Sequence, residues 1–209
     1  MPVDSLHEQK ILILDFGSQY TQNIARRVRE AEVYCEIHPC TKTLKEIEAF
    51  SPTGIILSGG PASVLEQDAV VCDAEVFELG VPVLGICYGM QLIAHLLDGK
   101  VSPADNREYG RAKLCIKEHS HLLNNVNDNS TVWMSHGDRI DKLPAGFKSA
   151  AYTDNSPIAA IENHAKKVYG LQFHPEVVHT NDGVKILDNF LFDICGCAKN
   201  WKIKSLAEY

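Results

Sequence analysis

The sequence predicts an α/β fold: a mainly parallel open sheet with helices on both faces, plus a smaller antiparallel strand region in the second half. In the first half, strand-length apolar runs alternate with segments of helical period, an order typical of parallel sheets. In the second half, short strand-like runs follow one another directly, which indicates hairpins. The length of 209 residues, 45% of them hydrophobic and 22% charged, is ordinary for one globular domain.

Four strands are predicted in the first half. Each is an apolar run that is ended by turn residues or by a polar segment. Such continuous runs are typical of strands buried on both faces of a sheet. The runs cover residues 11–14, 33–37, 54–57 and 81–86.

Helices are predicted between these strands. Tyr20, Ile24 and Val28 recur every four positions, which marks one face of a helix through Arg29. The last of these helices begins at Tyr88 and is followed by Asp98-Gly99, a common C-terminal signal. The remaining two helices are predicted at 44–50 and 74–79.

The second half is predicted to contain five short strands and a final helix. The strands cover residues 113–117, 131–135, 148–153, 157–162 and 168–173, and the helix covers 184–194. We predict one domain over residues 1–198. The polar segment 199–209 is predicted to be a tail, or the start of a linker to a domain absent from this chain.

Charge limits the partners. With 20 Lys and Arg against 27 Asp and Glu, the net charge is −7. No run of basic residues is present, which argues against nucleic acid or an anionic membrane as the main partner. Small polar substrates stay open. No secretory signal or membrane-spanning run is visible, so we expect a cytoplasmic protein.

The cysteines do not predict a disulfide framework or a metal site. There are seven, an odd number, and they are scattered along the chain. Cys195-Gly196-Cys197 lacks a second pair of ligands at metal spacing, and His119-Ser120-His121 lacks an obvious third ligand. We therefore expect no metal.

One cysteine differs from the others in its surroundings. Gly85-Ile86-Cys87-Tyr88-Gly89 lies where a buried strand meets a helix, the pattern of a nucleophile elbow with Cys in place of Ser. The glycines let strand and helix pass closely, and we expect the turn to direct the Cys87 side chain to solvent. The helix N-terminus favours a thiolate and offers N–H groups to an oxyanion. The alternative is a tight turn beside a buried, unreactive Cys.

A thiol nucleophile needs a base, and the base needs a group that orients it. His174-Pro175-Glu176 offers both if residues 168–177 are extended, because side chains two positions apart then share a face. Glu176 would orient the His174 imidazole and stabilise the imidazolium formed when Cys87 loses its proton. Considered alone, His174 and Glu176 are also compatible with a structural hydrogen-bonded pair.

A third motif, Ser58-Gly59-Gly60-Pro61, follows another buried strand. Open parallel sheets place their sites at the carboxyl ends of the strands. A glycine pair there lets backbone N–H groups approach an anion or a tetrahedral oxyanion. The motif is not a Walker loop, since no Gly-Lys-Ser/Thr follows it. A plain loop after a strand is the alternative.

Together these motifs resemble the class I (triad-type) glutamine amidotransferases, and the resemblance covers about the whole chain. It implies an open, flavodoxin-like sheet. Within the family, three strings are similar to the glutaminase domains of GMP synthetases. They are DFGSQY at 15–20, CYGMQ at 87–91 and WMSHGD at 133–138.

The resemblance implies a reaction and a role for each residue. Cys87 would attack the side-chain amide of glutamine, ammonia would leave, and water would hydrolyse the thioester. His174 would move the protons and Glu176 would hold the imidazole. The implied oxyanion hole consists of the N–H groups of Gly60 and Tyr88. The implied glutamine contacts are Gly59, Gln91, Ser135, Gly137 and Asp138.

The resemblance also implies a partner. The chain has no Ser-Gly-Gly-x-Asp-Ser loop of the pyrophosphatase type, so it would supply ammonia to an ATP-pyrophosphatase (synthetase) domain or subunit. That partner would use ATP and Mg²⁺ to aminate XMP to GMP, whereas the present chain would need no cofactor. The alternatives are a related Cys hydrolase of the same fold, such as a γ-glutamyl hydrolase, and a non-catalytic binding module.

Overall fold

The computed structural model describes residues 9–117 and 120–202. The first part of the chain alternates strands and helices, as the sequence predicts. Its elements are β1 (Lys10–Asp15), α1 (Thr21–Glu30), β2 (Tyr34–Pro39), α2 (Leu44–Phe50), β3 (Gly54–Leu57), a 3₁₀ helix (Ala74–Glu78), β4 (Val83–Ile86) and α3 (Tyr88–Leu96).

The second part consists mainly of strands. Its elements are β5 (Lys100–Ile116), β6 (Ser130–Lys142), β7 (Lys148–Tyr152), β8 (Ala160–Asn163), β9 (Val168–Leu171), α4 (Gly183–Asp188) and a π-helix (Asn189–Ile194). The predicted final helix is therefore present, but its second half has π-helical hydrogen bonding.

In the described residues the nine strands follow the order β2-β1-β3-β4-β9-β8-β7-β5-β6. The pairs from β2 to β9 are parallel, and the pairs from β9 to β6 are antiparallel. The predicted fold class is confirmed. Strand β9 joins the two regions, because it pairs with β4 on one side and with β8 on the other.

The central strands are buried on both faces. Ile11 and Ile13 of β1 enter one apolar core, which α1 and α4 cover, and Leu12 and Leu14 enter the other, which α2 and α3 cover. All four side chains are fully buried. Alternate residues of a strand point to opposite faces, so an uninterrupted apolar run is what a sheet with helices on both sides requires.

The hairpin of β5 and β6 is longer than the sequence predicts, since only 113–117 and 131–135 were expected. Its pairing extends from Lys100 opposite Lys142 to Leu114 opposite Ser130. Much of this hairpin is polar and partly exposed, so no apolar run marks it. Backbone hydrogen bonds between strands do not depend on which side chains the strands carry. Amino-acid composition is therefore a poor guide to the length of these two strands.

The start of the polar tail contacts the domain. The backbone N–H of Trp201 donates to the carbonyl of Glu32 at 2.9 Å, and its ring lies against that of Tyr34 with centroids 5.9 Å apart. Residues 203–209 lie outside the described part of the chain, so the predicted domain boundary stays a prediction. Among the described helices, none has the length and apolar character needed to cross a membrane.

The glycines of the elbow motif allow strand β4 and helix α3 to touch. A Cβ on Gly85 would lie 2.5 Å from the carbonyl group of Gly89, and a Cβ on Gly89 would lie 2.5 Å from the carbonyl oxygen of Leu57 in β3. Real Cβ atoms do not approach this closely, so only glycine fits at either position.

We therefore expect Gly85→Ala to lower the free energy of unfolding by about 1–3 kcal/mol or more, the usual cost of overpacking. Urea unfolding measures it. The control is Val184→Ala, at a side chain 53% exposed, which should change the free energy by less than about 0.5 kcal/mol. Equal stability of Gly85→Ala and the unmodified chain would contradict the packing argument.

Candidate active site

A pocket of about 390 Å³ opens at the carboxyl edge of the parallel strands. Its walls come from the loops after β1, β3 and β9, from the start of α3, and from β6. Parallel strands end at the same edge, so motifs distant in sequence meet there. Seven of the residues expected from the sequence line this pocket: Gly60, Cys87, Gln91, Ser135, Gly137, Asp138 and His174.

Cys87 lies between β4 and α3 in a strained conformation. Its φ is 53° and its ψ is −104°, a region that non-glycine residues rarely adopt. The backbone N–H of Cys87 donates to the carbonyl of Leu171 at 2.7 Å, which ties the turn to β9. The side chain is 4% exposed. It lies at the floor of the pocket, so the expectation of a solvent-facing side chain is wrong.

His174 and Glu176 are paired, although not as the sequence predicts. Strand β9 ends at Leu171, and residues 172–180 form bends and turns. The shared face of an extended segment is therefore the wrong reason for the pairing. The turn itself brings His174 Nδ1 within 2.7 Å of Glu176 Oε1. Nδ1 thus bonds to the carboxylate, and the opposite ring nitrogen is left for the pocket.

Backbone hydrogen bonds hold this turn in place. The N–H of His174 donates to the carbonyl of Trp133 at 3.0 Å. The carbonyl of His174 accepts from Thr180 Oγ1 at 2.6 Å. Arg27 Nε donates to the carbonyl of Glu176 at 3.3 Å. The ring of Tyr20 contacts the imidazole edge-on, with centroids 5.0 Å apart. Tyr20 and Thr180 are thus site residues to which sequence reasoning assigned no role.

Two opposing effects act on the imidazole. His174 is 3% exposed, and burial by itself lowers the pKa of an imidazole. The neighbouring Glu176 carboxylate and Cys87 sulfur raise it, and the net result is a pKa of His174 well above its ordinary value. The site therefore favours the imidazolium form of His174.

Glu176 contacts the imidazole through one of its two carboxylate oxygens. It is 2% exposed, and within the described residues its second oxygen, Oε2, has no hydrogen-bond partner. A buried carboxylate oxygen without a partner is costly. His174 is consequently the dominant partner of this carboxylate.

The expected oxyanion-hole residues, Gly60 and Tyr88, and the expected glutamine contact Gly59 lie on the segments that directly follow β3 and Cys87. Gly59 touches the imidazole, since a Cβ there would be 3.1 Å from His174 Cε1. At Gly60 a Cβ would be 2.8 Å from the carbonyl oxygen of Phe16, so glycine is required. Tyr88 is the first residue of α3, where backbone N–H groups lack intrahelical acceptors. Its side chain is directed away from the pocket, and its hydroxyl donates to the carbonyl of Val70 at 2.7 Å.

The opposite wall is the segment 135–138 of β6. The carbonyl of Ser135 lies 3.6 Å from Cys87 Sγ. Gln91 Nε2 donates to the carbonyl of Asp138 at 3.0 Å, and Ser63 Oγ donates to the Asp138 carboxylate at 2.5 Å. Gln91 thus supports the wall through its amide group. The sequence predicts neither the contact of Ser63 with Asp138 nor the hydrogen bond from Gln91 to the carbonyl of Asp138.

Gln172 is another residue that sequence reasoning missed. It is fully buried beneath the pocket. Its Oε1 accepts from Gln91 Nε2 at 3.3 Å, and its Nε2 lies 3.9 Å from Cys87 Sγ. The only sequence signal for it is its place two residues before His174.

The cysteines and histidines outside the pocket do not assemble a metal centre in the part of the chain that the structure describes, where no three His, Cys, Asp or Glu side chains are grouped for one ion. Cys195 and Cys197 are free thiols. His119 lies outside the described residues.

The sequence matches the model of the family described as glutamine amidotransferase class-I over residues 12–194. Relatives named GMP synthase (glutamine-hydrolyzing) include one from Brachyspira hyodysenteriae, 54% identical over 96% of this chain and 39% of its own length. A relative of the same name from Caldanaerobacter subterraneus is 55% identical over 97% of this chain and 40% of its own length. The chain thus spans about two fifths of these relatives.

Solved structures show the same architecture. The structure of a protein from Thermoplasma acidophilum, described as part of a GMP synthase, has a TM-score of 0.81 and 31% identity and covers 91% of this chain and 95% of its own. A glutamine amidotransferase from Thermotoga maritima has a TM-score of 0.64 at 22% identity, covers 90% of this chain and 83% of its own, and supports the fold alone. The resemblance predicted from the motifs is confirmed, and the chain belongs to the class I glutamine amidotransferase family.

Proposed function

We propose that this chain hydrolyses glutamine to glutamate and ammonia with a Cys87-His174-Glu176 triad. The observation that carries the proposal is the convergence of all three in one site. A cysteine on a strained turn at a helix N-terminus shares the pocket with His174, and Glu176 bonds to the far side of the imidazole. This order of nucleophile, base and orienting carboxylate is what acyl transfer requires.

In the first half of the reaction, Cys87 Sγ attacks the side-chain amide carbon of glutamine. The thiol proton passes to His174, which delivers it to the leaving nitrogen as the C–N bond breaks, so ammonia departs and a glutamyl thioester remains. A raised pKa of His174 supports this step, because it makes the imidazole a stronger proton acceptor.

Backbone N–H groups stabilise the negative charge that develops on the amide oxygen. Those of Gly60 and Tyr88 are the proposed donors. Helix α3 adds its N-terminal partial charge at the same point. Gly60 lines the pocket, and Tyr88 directly follows the nucleophile.

Water completes the cycle. His174 removes a proton from a water molecule, the oxygen attacks the thioester carbon, and the C–S bond breaks to release glutamate and regenerate Cys87. Throughout, Glu176 keeps Nδ1 of His174 protonated and the ring oriented. We place the amino-acid end of the substrate against Gly59, Gln91 and the wall formed by Ser135, Gly137 and Asp138.

We further propose that the ammonia serves the amination of XMP to GMP in an ATP-pyrophosphatase domain or subunit. The name and the greater length of the relatives support this. ATP and Mg²⁺ would act in that partner, and this chain would need no cofactor. A cytoplasmic location and the absence of nucleic-acid and membrane partners stay predictions.

Substrate preference separates this proposal from its alternatives. A γ-glutamyl hydrolase would release glutamate from γ-glutamyl peptides in preference to free glutamine, and a binding module would release none from either. Glutamate release from both substrates, by the chain with and without an added synthetase partner, distinguishes the three.

Removal of the nucleophile should abolish activity. We expect Cys87→Ala to lower the rate of glutamate release by at least about 10⁴-fold. Cys87→Ser should do little better, because a hydroxyl beside the same imidazole is much harder to deprotonate. The control is Cys197→Ala, at another buried thiol outside the pocket, which should retain activity. Substantial turnover by folded Cys87→Ala would contradict the mechanism.

The base and its orienting group should act as one unit. His174→Ala removes the proton carrier, so its rate should fall nearly as far as that of Cys87→Ala, whereas Glu176→Gln should lose less. Because members of a triad are strongly non-additive, the double variant should be scarcely slower than His174→Ala. We would measure glutamate release after confirming folding by circular dichroism. Independent factors that multiply in the double variant would show that Glu176 acts on something other than His174.

The raised pKa of His174 also predicts a pH dependence of stability. A group whose pKa is raised by folding stabilises the fold below its unfolded pKa, about 6.5 for His, and this contribution is lost as pH rises through the folded pKa. In a Cys87→Ala background, which removes the nearby thiol, we expect the free energy of unfolding to fall more steeply above about pH 6.5 with Glu176 than with Glu176→Gln. Urea unfolding at several pH values tests this, and parallel curves would contradict it.

A further inference from the structure

A second buried polar cluster extends inward from the pocket wall, to which His136 belongs, and the proposed mechanism does not use it. Its members are Glu108 on β5, His136 on β6, and Thr153 and Ser156 in the turn between β7 and β8. They are 7%, 4%, 2% and 0% exposed, respectively. A buried carboxylate and a buried imidazole are costly unless they are paired, so the cluster calls for an explanation.

Glu108 is the centre of the cluster. Its Oε1 accepts from Thr153 Oγ1 at 2.9 Å, and its Oε2 accepts from Ser156 Oγ at 2.8 Å. His136 Nε2 lies 3.3 Å from the same Oε2. Burial raises the pKa of Glu108, but the hydrogen bonds from His136, Ser156 and Thr153 lower it more, so the net shift is downward. The carboxyl group is therefore ionised.

His136 meets a hydrogen-bond partner at each ring nitrogen. Nδ1 lies 2.8 Å from the carbonyl oxygen of Asp138. A carbonyl only accepts hydrogen bonds, so Nδ1 donates to the wall. Nε2 lies 3.3 Å from Glu108 Oε2 and 3.2 Å from Ser156 Oγ. The ring is thus held between the wall on one side and the Glu108 cluster on the other.

The cluster is not a second hydrolytic site. Ser156 contacts both partners, since its Oγ donates to the carboxylate at 2.8 Å and lies 3.2 Å from His136 Nε2. In a hydrolytic triad the serine contacts the histidine alone and is linked to the carboxylate through it. Ser156 is also fully buried, so no substrate reaches its hydroxyl.

The pair is connected to the glutamine pocket through Asp138. The Asp138 carbonyl accepts from His136 Nδ1 on one side and from Gln91 Nε2 on the other. These two bonds use both lone pairs of the oxygen and set the plane of the peptide that follows Asp138. The wall is thereby tied to β5 through His136 and to α3 through Gln91.

The pairing of β5 and β6 changes at this wall. Pro103 is opposite Asp138 and Glu108 is opposite His136, so four residues of β5 face Gly137 alone. Such a bulge interrupts the hydrogen-bond ladder between the two strands and changes the direction of the bulged strand. Bulges of this kind are common beside functional sites. With its ladder partner displaced, the wall at Gly137 needs another anchor, and the Glu108-His136 pair lies immediately next to it.

We propose that the contact between Glu108 and His136 positions the 135–138 wall and thereby sets the affinity of the pocket for glutamine. Both are positioning residues, because they act through the wall. The inference rests on the proposed glutaminase function. Glutamine binding depends on the shape of the wall, whereas the chemical step depends on Cys87 and His174 on the other side of the pocket.

Steady-state kinetics of Glu108→Gln tests the proposal. The substitution keeps the shape of the side chain and removes the charge that pairs with His136. We expect KM for glutamine to rise roughly ten-fold or more, with kcat within about three-fold of the unmodified chain. Ser156→Ala removes one donor to Glu108 and one contact of His136 Nε2 but leaves Glu108 next to His136. It should raise KM less and provides a milder variant if Glu108→Gln folds poorly.

Glu162→Gln is the matched control. Glu162 is also a buried carboxylate, 8% exposed, and it accepts from Ser120 Oγ at 3.0 Å in a bond outside the pocket. This variant should leave KM unchanged even if it lowers thermal stability. Equal KM values for Glu108→Gln and Glu162→Gln would overturn the positioning role. If the unmodified chain fails to hydrolyse glutamine, the proposed function fails instead, so the two results are distinguishable.

A measurement independent of activity tests the link between His136 and the wall. In a ¹⁵N-histidine-labelled sample, His136 should carry a proton on Nδ1, assigned by its disappearance in His136→Asn, since Nδ1 donates to the Asp138 carbonyl. An Nδ1 without a proton in the unmodified chain would overturn the link.

Discussion

The close contact of the two glycines that flank Cys87 is the constraint on which the site depends. Strand β4 and helix α3 approach until a Cβ on Gly85 would lie 2.5 Å from Gly89, so the chain must reverse within very few residues. The reversal occurs at Cys87, whose φ is 53°. The strain is held by β3, β9 and the helix packed around it. As a result the sulfur lies at the pocket floor, next to the free N–H groups of the helix.

The site also depends on the balance of two opposing effects on the pKa of His174. Burial disfavours an imidazolium and is the largest single effect, yet the carboxylate of Glu176 at 2.7 Å and the sulfur of Cys87 together outweigh it and keep the pKa of His174 high. Removing water from the site strengthens this attraction, because the local dielectric constant is low. Burial thus shields the carboxylate of Glu176 from water and, for the same reason, strengthens its attraction for the imidazolium form of His174.

The two regions of the sheet contribute different parts of the pocket. The parallel region supplies Cys87, the proposed nucleophile, and the proposed backbone donors at its carboxyl edge. The antiparallel region supplies the opposite wall, where the segment 135–138 lies between Gln91 and the Glu108-His136 pair. Strand β9 lies between the regions and leads into the turn that carries His174. In the proposed mechanism one side of the pocket breaks the bond and the other holds the substrate.

Local features of this protein follow from its amino-acid sequence alone: the buried strands, the helices between them, the elbow at Cys87 and the family. These features depend on periodicity and on residues near one another in the chain, which sequence reasoning can detect. Other features emerge only when the chain is folded. The turn beyond Leu171 that holds His174 against Glu176 is one of them, although the spacing of the two residues predicts that they are neighbours. The contact of Glu108 with His136, 28 residues away in the chain, is another. No local pattern marks this second pair, because the pairing of β5 with β6, and not the spacing of residues, brings it together.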